Sequence, residues 1–256
     1  MCVIMYKPSG VTLPTRETFK AMWDANRDGA GFMWKNPKTN EIHYRKGFFD
    51  FETFYNAVKS HYRLNREMAI HCRIATSGGI NKGMCHPFPM VNNGITMKSS
   101  KLDSNTYPFV MHNGVISTTF VDNLSDTCSY IINSLVPRYK KDKLFFYNPF
   151  EETSIQNEIG YSKLLIFSPL CKAKMIGNWT EIDGCYYSNT NFSWRLKKRT
   201  SVRKSYNYDH INPYTTKRYR SNDNYDVEYD YRNSDMWREY FNTLSEDAWQ
   251  IITNMI

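Results

Sequence analysis

The chain begins Met1-Cys2-Val3-Ile4-Met5-Tyr6, an apolar stretch with cysteine at its second position. An initiator methionine is normally removed ahead of a small side chain, and its removal would leave Cys2 with a thiol and a free α-amine. The reference pKa of a thiol is about 8.5 and that of an α-amine about 7.7 to 8.0, so the amine can accept the thiol proton near neutral pH. The stretch therefore predicts a cysteine nucleophile with its own base, held at the start of a buried strand.

Three further segments follow in order: His71-Cys72-Arg73-Ile74-Ala75-Thr76, continued by Cys85-His86-Pro87-Phe88; Met111-His112-Asn113-Gly114; and Ser125-Asp126-Thr127. Cysteine-dependent amide hydrolysis needs an oxyanion hole and a grip on the substrate as well as a nucleophile and a base. The side-chain amide of Asn113 and the backbone N–H of Gly114 are neutral donors suited to an oxyanion hole. Asn-Gly between apolar runs also fits a type I′ hairpin turn, which is the structural alternative.

Arg73 and Asp126 carry the charges that a glutamine α-centre requires, because a guanidinium pairs with a carboxylate and a carboxylate with an ammonium. Arg73 lies in an apolar stretch that resembles a strand, where it is either a snorkelling edge residue or a ligand. Asp126 opens a stretch with helical apolar spacing, where capping the helix or complementing its dipole is the simpler role.

Together with Asn26-Arg27-Asp28-Gly29-Ala30-Gly31, these segments resemble the class II glutamine amidotransferases of the N-terminal-nucleophile hydrolase superfamily, from Cys2 to about Trp194. The resemblance implies an α+β fold, a four-layer αββα sandwich of two antiparallel sheets with outer helices. It implies the following site: Cys2 as nucleophile, Asn113 and Gly114 as oxyanion hole, Arg73 for the α-carboxylate, Asp126 for the α-amine, and Thr76 and His86 beside the substrate.

The activity implied by the resemblance is hydrolysis of the glutamine side-chain amide through a γ-glutamyl thioester. Ammonia would pass to a separate acceptor enzyme, and neither a metal nor an organic cofactor is expected. Val3, Ile74 and Ser77 stand where ammonia-channelling synthases of the family have glycine, tryptophan and histidine. These departures leave γ-glutamyl conjugates open as substrates. A further alternative is an inactive amidotransferase-like domain that binds nucleic acid or protein.

The net charge of +8 is concentrated in one segment. Residues 195–220 hold nine basic side chains and one acid, Asp209, with tyrosines among them. Such a composition suits contact with nucleic acid. The next residues are acidic and equally rich in tyrosine, so a solvated linker is the alternative.

The six cysteines are widely spaced and form no Cys-x-x-Cys pair, which predicts free thiols in the cytoplasm. A zinc site from His71, Cys72, Cys85 and His86 is disfavoured, because adjacent residues on a strand point to opposite faces. Residues 1–8 lack the features of a signal peptide, and no apolar run reaches the roughly 18 residues of a membrane span.

The predicted organisation is an amidotransferase-like domain over 1–194, a basic then acidic linker over 195–233, and a C-terminal helical appendage over 234–256, which docks onto its own domain or onto a partner. Apolar periodicity predicts elements throughout the first part. Helices are expected at 15–25, 51–63 and 126–136, the last ending before Pro137. Strands are expected at 2–6, 31–35, 41–46, 69–76, 108–112, 115–117, 163–167, 171–176 and 185–188.

Overall fold

The computed structural model describes residues 2–75, 79–104 and 106–197. Thr76 lies outside the described residues. So do residues 234–256, where a helical appendage is predicted, and residues 198–233 of the predicted linker. The described residues contain both helices and strands, and the fold is α+β with two antiparallel sheets.

The strands belong to two sheets in which every pairing is antiparallel. Within the described residues they are β1 (Val3–Lys7), β2 (Ala30–Lys35), β3 (Ile42–Phe48), β4 (Met68–Cys72), β5 (Phe88–Pro89), β6 (Lys101–Ser104), β7 (Phe109–Asn113), β8 (Lys163–Phe167), β9 (Lys174–Ile176), β10 (Thr180–Ile182) and β11 (Cys185–Tyr187). The first sheet has the order β10-β11-β1-β4-β2-β3-β6, and the second has the order β5-β7-β8-β9. The N-terminal strand therefore lies inside the larger sheet.

The helices begin at polar caps that the sequence supplies. Thr15 accepts a hydrogen bond from the backbone N–H of Thr18, and Asp50 accepts one from Thr53. In the described residues the α-helices are α1 (Arg16–Ala25), α2 (Phe51–His61), α3 (Gly94–Lys98), α4 (Asp126–Tyr130), α5 (Val136–Lys141), α6 (Pro149–Ile159) and α7 (Trp194–Lys197). A π-helical turn, Ile131–Leu135, joins α4 to α5, and short 3₁₀ helices span Lys82–Met84 and Phe145–Tyr147.

The side chains of β1 alternate between two cores. Val3 and Met5 pack with residues of α1 and α2 on one face of the first sheet. Ile4 and Tyr6 point to the other face and pack with Phe109 and other residues of β7 and β8, in the second sheet. A third cluster joins the second sheet to the helices that follow it in the chain. Its members include Val110, Ile131, Leu135, Ile155, Leu164 and Ile166.

Most of the elements expected from periodicity are confirmed. The predicted helices at 15–25 and 51–63 correspond to α1 and α2. The strands expected at 2–6, 31–35, 41–46, 108–112, 163–167 and 185–188 match β1, β2, β3, β7, β8 and β11 within two residues. β4 ends earlier than expected and β9 begins later.

Two local predictions are wrong. Residues 115–117 form no strand, and β7 pairs with β8 instead, so Asn113-Gly114 does not close a hairpin. The helix expected to end before Pro137 continues to Lys141. Its π-helical turn bonds the Val136 N–H to the Ile131 carbonyl, and Pro137 then occupies the first turn of α5, where its missing N–H is not needed.

Lys46, on β3, holds the segment that carries His86. Its Nζ lies 3.0 Å from the carbonyl oxygen of Gly83, 3.1 Å from that of Pro87 and 2.6 Å from that of Met97. The side chain is buried, and three carbonyl acceptors match the three donors of an ammonium group. These bonds fix the segment from Lys82–Met84 to α3 against the first sheet.

Gly31 allows that segment to approach β2. A Cβ atom at this position would lie 2.1 Å from the backbone oxygen of His86 and 2.7 Å from Cβ of Lys46. Neither neighbour is the free end of a flexible side chain.

Across residues 2–75, 79–104 and 106–197, no helix is long and apolar enough to cross a membrane.

We expect Gly31→Ala to lower the free energy of unfolding by about 1–3 kcal/mol, because the added methyl group overpacks the contact with His86. Gly94→Ala is the matched control, since its Cβ would lie 3.5 Å from Leu124, an ordinary contact. Urea unfolding of the two variants checks the difference. Equal stability would show that the close approach at Gly31 does not constrain the fold.

Candidate active site

The start of β1 brings Cys2 beside the end of β4. In the antiparallel register Val3 faces Cys72, so Cys2 lies next to Arg73-Ile74. The Cys2 Sγ is 3.3 Å from the backbone nitrogen of Ile74, which donates to it, and 3.3 Å from the Ile74 carbonyl, which accepts from it. Burial raises the pKa of the Cys2 thiol, while the Ile74 hydrogen bond and the charge of Arg73 act in the opposite direction.

Cys2 opens into a cavity that gathers most of the predicted site residues. The lining residues are Cys2, Arg73, Ile74, Met84, His86, His112, Gly114, Ser125, Asp126 and Thr127. The cavity holds about 20 Å³, which is room for roughly one water molecule. The structure therefore brings together residues from four distant parts of the chain in a small polar space. Asn113 is not among the lining residues.

Arg73 is fixed by the loop that follows α1. Its backbone N–H donates to the Gly29 carbonyl at 2.8 Å, and its carbonyl accepts from the Asp28 N–H at 2.9 Å. Asp28 also accepts from the backbone N–H of Ala75 at 2.9 Å. The guanidinium is buried and donates to the Gly79 carbonyl at 2.7 Å. The Asn26 to Gly31 segment thus holds the arginine at the cavity wall.

Asp126 reaches the cavity from the first turn of α4, which is capped by the side chain of Ser125. It is buried, and its Oδ2 accepts from the backbone N–H of Ile116 at 3.0 Å. Position at a helix N-terminus stabilises a carboxylate, so the simpler local role holds as well. The side chain is nevertheless on the cavity wall with Arg73, which gives the site one group of each charge.

Asn113 and Gly114 occupy the end of β7. Gly114 has a φ of +142°, and a Cβ there would lie 2.1 Å from the Ser162 Oγ, so only glycine fits. The Asn113 side chain is buried, and its Nδ2 donates to the Ser188 Oγ at 2.9 Å. Its Oδ1 has no hydrogen-bond partner among the described residues. The amide therefore points to Ser188 and leaves one buried acceptor unused.

Three buried histidines, His71, His86 and His112, lie at the cavity or behind it, and two of them, His86 and His112, line it. The rings of His71 and His86 stack with centroids 4.1 Å apart. The His71 Nε2 lies 3.1 Å from the His112 carbonyl oxygen, and the His112 Nδ1 is 2.8 Å from the Thr127 hydroxyl. Neither ring nitrogen of His86 has a hydrogen-bond partner within the described part of the chain.

Burial sets the charge of these rings. It lowers the pKa of His71 to about 3 and that of His112 to about 4, and it lowers the pKa of His86 well below its usual range. For His86 the positive charges nearby act in the same direction. The cluster is therefore neutral at physiological pH, and His86 presents a neutral imidazole to the cavity.

The zinc alternative has no geometric support in the described residues. His71 faces the space between the sheets, whereas Cys72 packs with α1 and α2 on the opposite face. Throughout the described ranges, no three His, Cys, Asp or Glu side chains are grouped so as to hold a metal ion.

Sequence reasoning did not assign a role to His71, His112, Asp28 or Ser188. The two histidines lie inside the quoted motifs. Strand alternation puts His71 on the face of β4 that carries Ala69, between the sheets, and puts His112 on the face of β7 that carries Val110, toward α4. Asp28 lies in the quoted loop. Ser188 contacts Asn113 across 75 positions of the chain, and no local pattern indicates such a contact.

A scan against models of known protein families finds no match to this chain, and no curated protein matches its sequence. The interpretation of the site therefore depends on its own residues and their geometry.

The neutral histidines predict a loss of stability in acid. Their native pKa values lie below the reference of about 6.5, so the unfolded chain binds more protons once the pH falls below that value. Their contribution to the free energy of unfolding is complete above about pH 6.5 and is lost as the pH falls toward 4. Each histidine adds up to about 1.4 kcal/mol per pH unit to the slope of the unfolding free energy against pH.

We expect His71→Gln to reduce the slope of unfolding free energy against pH by about that amount between pH 6 and 4.5, because glutamine does not titrate. Urea unfolding at several pH values measures both slopes. A variant with an unchanged slope would contradict a neutral His71 in the native protein.

Proposed function

We propose that this protein is a glutaminase-type amidohydrolase that resembles the class II glutamine amidotransferases, with Cys2 as its N-terminal nucleophile. One observation carries the proposal: Cys2, Arg73, Gly114 and Asp126 line the same cavity. A nucleophile, a cation, an anion and a backbone donor are the groups that hydrolysis of a glutamine side-chain amide requires.

A four-layer αββα sandwich is the architecture that we infer for this function. The three apolar clusters support it: α1 and α2 pack on the first sheet, the two sheets share a cluster, and α4 to α6 pack on the second sheet. In this arrangement β1 is an internal strand that carries Cys2 to the edge of the space between the sheets. Helices on both outer faces keep the ends of β1 and β7 in fixed positions.

The first chemical step is attack by the Cys2 sulfur on the side-chain carbonyl carbon of glutamine. Met1 is removed first, which frees the α-amine of Cys2. Since burial raises the thiol pKa, the thiol needs a base, and the α-amine on the same residue takes its proton. A C–S bond forms and the carbonyl oxygen becomes an oxyanion. The backbone N–H of Gly114 and the side-chain amide of Asn113 stabilise this charge.

The second half of the reaction returns the proton. The protonated α-amine of Cys2 gives it to the leaving nitrogen, the C–N bond breaks, and ammonia departs from a γ-glutamyl thioester. Water, deprotonated by the same amine, attacks the thioester and releases glutamate and the thiol. Ammonia then passes to a separate acceptor enzyme.

Arg73 and Asp126 hold the two charges of the glutamine α-centre. The guanidinium pairs with the α-carboxylate and the Asp126 carboxylate pairs with the α-ammonium. Thr76 is proposed as a hydrogen-bonding neighbour and His86 as a neutral donor or acceptor at the substrate.

The cytoplasm is the compartment that we propose. All six cysteines are free thiols, as is usual where glutathione and thioredoxin keep thiols reduced.

Purified protein incubated with glutamine is expected to release ammonia, and Cys2→Ala is expected to abolish the release because no other group can form the thioester. Cys171→Ala is the matched control, since this buried thiol lies in the cluster beneath α4 to α6. Intact mass first establishes that Met1 is absent. If processed wild-type protein releases ammonia neither from glutamine nor from simple γ-glutamyl amides, the proposed activity is wrong.

Asp126→Asn is expected to lower kcat/KM for glutamine by about 30-fold or more, mainly through KM, because truncating one partner of a buried charge pair costs about 2–5 kcal/mol. Asparagine keeps an oxygen for the Ile116 N–H, so the loop is preserved. Glutaramide, which lacks the α-centre, serves as the control substrate and should react equally with both proteins. An equal loss on both substrates would assign Asp126 to the helix alone.

A further inference from the structure

The side chains of Asn113 and Ser188 meet in an arrangement that leaves two groups unused. Asn113 Nδ2 lies 2.9 Å from Ser188 Oγ, and its Oδ1 is buried without a partner among the described residues. The Ser188 Oγ also accepts from the backbone N–H of Ile4 at 2.9 Å. With two donors directed at Oγ, its own hydroxyl hydrogen has no acceptor within the described part of the chain.

A half-turn of the Asn113 amide satisfies both groups. Exchange of Oδ1 and Nδ2 keeps the same heavy-atom positions, since an amide presents an acceptor and a donor of similar size. The Ser188 hydroxyl then donates to Oδ1, while the Ile4 N–H still donates to Oγ. The half-turn removes a buried acceptor without a partner, and the two Nδ2 hydrogens at that position then take their acceptor from the substrate.

We propose that Ser188 is a positioning residue that orients the Asn113 amide for oxyanion binding, an inference that rests on the proposed function. In this orientation Nδ2 is turned away from Ser188, and the proposal assigns its hydrogens to the substrate oxyanion. A chain of bonds runs from the Ile4 N–H through the Ser188 hydroxyl to the Asn113 amide, and each bond polarises the next.

Ser188 is well placed for this role because it follows β11, the strand that pairs with β1. Its own N–H donates to the Ile4 carbonyl at 3.0 Å. The next residue, Asn189, donates from Nδ2 to the Cys2 carbonyl at 2.5 Å. Residues 188 and 189 thereby connect the nucleophile on the first sheet with the oxyanion donor at the end of β7, on the second sheet. Their hydrogen bonds fix one relative to the other.

The test is the steady-state hydrolysis of glutamine by Ser188→Ala, with Cys2 alkylation by iodoacetamide as a second measurement. We expect kcat to fall at least about tenfold, with KM changed less than about twofold, because an oxyanion donor acts only in the transition state. Alkylation displaces iodide from a saturated carbon and forms no oxyanion. Its rate should therefore stay within about twofold of the wild-type rate.

Two variants control for a merely structural effect. Ser168→Ala removes another fully buried serine, whose Oγ accepts from the Leu170 N–H at 3.2 Å, and should leave kcat unchanged. Ser188→Thr keeps the hydroxyl and should recover most of kcat. If alkylation of Cys2 in Ser188→Ala slows as much as glutamine hydrolysis does, the serine positions the nucleophile and the proposal is overturned.

A double-mutant cycle with Asn113→Ala decides whether Ser188 acts through Asn113. Asn113→Ala alone should lower kcat about 10²–10³-fold, and adding Ser188→Ala should cause no further loss, because the group that it orients is already absent. If the loss of kcat in the double variant equals the product of the two single losses, the proposal is overturned. A wild-type protein without activity would instead overturn the proposed function, so the two failures are distinguishable.

Discussion

The antiparallel pairing of β1 with β4 is the constraint on which the site depends. It sets Ile4 opposite His71 and places Cys2 beside Arg73-Ile74. A slip of one residue would turn the whole strand over, and Cys2 would then face α1 and α2 with Val3 on the other side. In the observed register, Val3 and Met5 belong to one core and Ile4 and Tyr6 to the other.

Backbone groups pair with several of the buried ionisable side chains around this framework. Lys7 donates to three carbonyls and Lys46 to three others. Asp126 accepts from a backbone N–H at a helix N-terminus. Such pairing is rigid and needs no reorganisation. Arg73 and Asp126 both line the cavity, and each is held there by a hydrogen bond to the backbone.

The sequence predicted the elements better than the contacts. Helical spacing identified α1 and α2, because one side of each faces an apolar core. Apolar runs identified β1 and β7, which are buried on both faces. The continuation through Pro137 was missed, since a π-helical turn leaves no simple mark in the sequence. The strand predicted at 115–117 does not form, for a different reason. Asn-Gly is typical of tight hairpins, yet Gly114 adopts its φ to lie against Ser162.

The site residues follow the same division. The order of the motifs predicted that Cys2, Arg73, Gly114 and Asp126 belong to one site. The four residues line one cavity. What motif order could not predict is the hydrogen bond between the Asn113 amide and a serine 75 residues away. Long-range hydrogen bonds have no local signature, so second-layer partners emerge only once the strands are placed in register.

The carbonyl cage around Lys46 has a consequence for how this chain can vary. Three oxygens converge on one nitrogen. Arginine presents its donors in a flat fork, and methionine presents none. Neither side chain can replace the ammonium group by a single substitution. A change at position 46 therefore requires compensating changes in the stretch between Gly83 and Met97. The lysine and the stretch from Gly83 to Met97 should therefore change together or not at all.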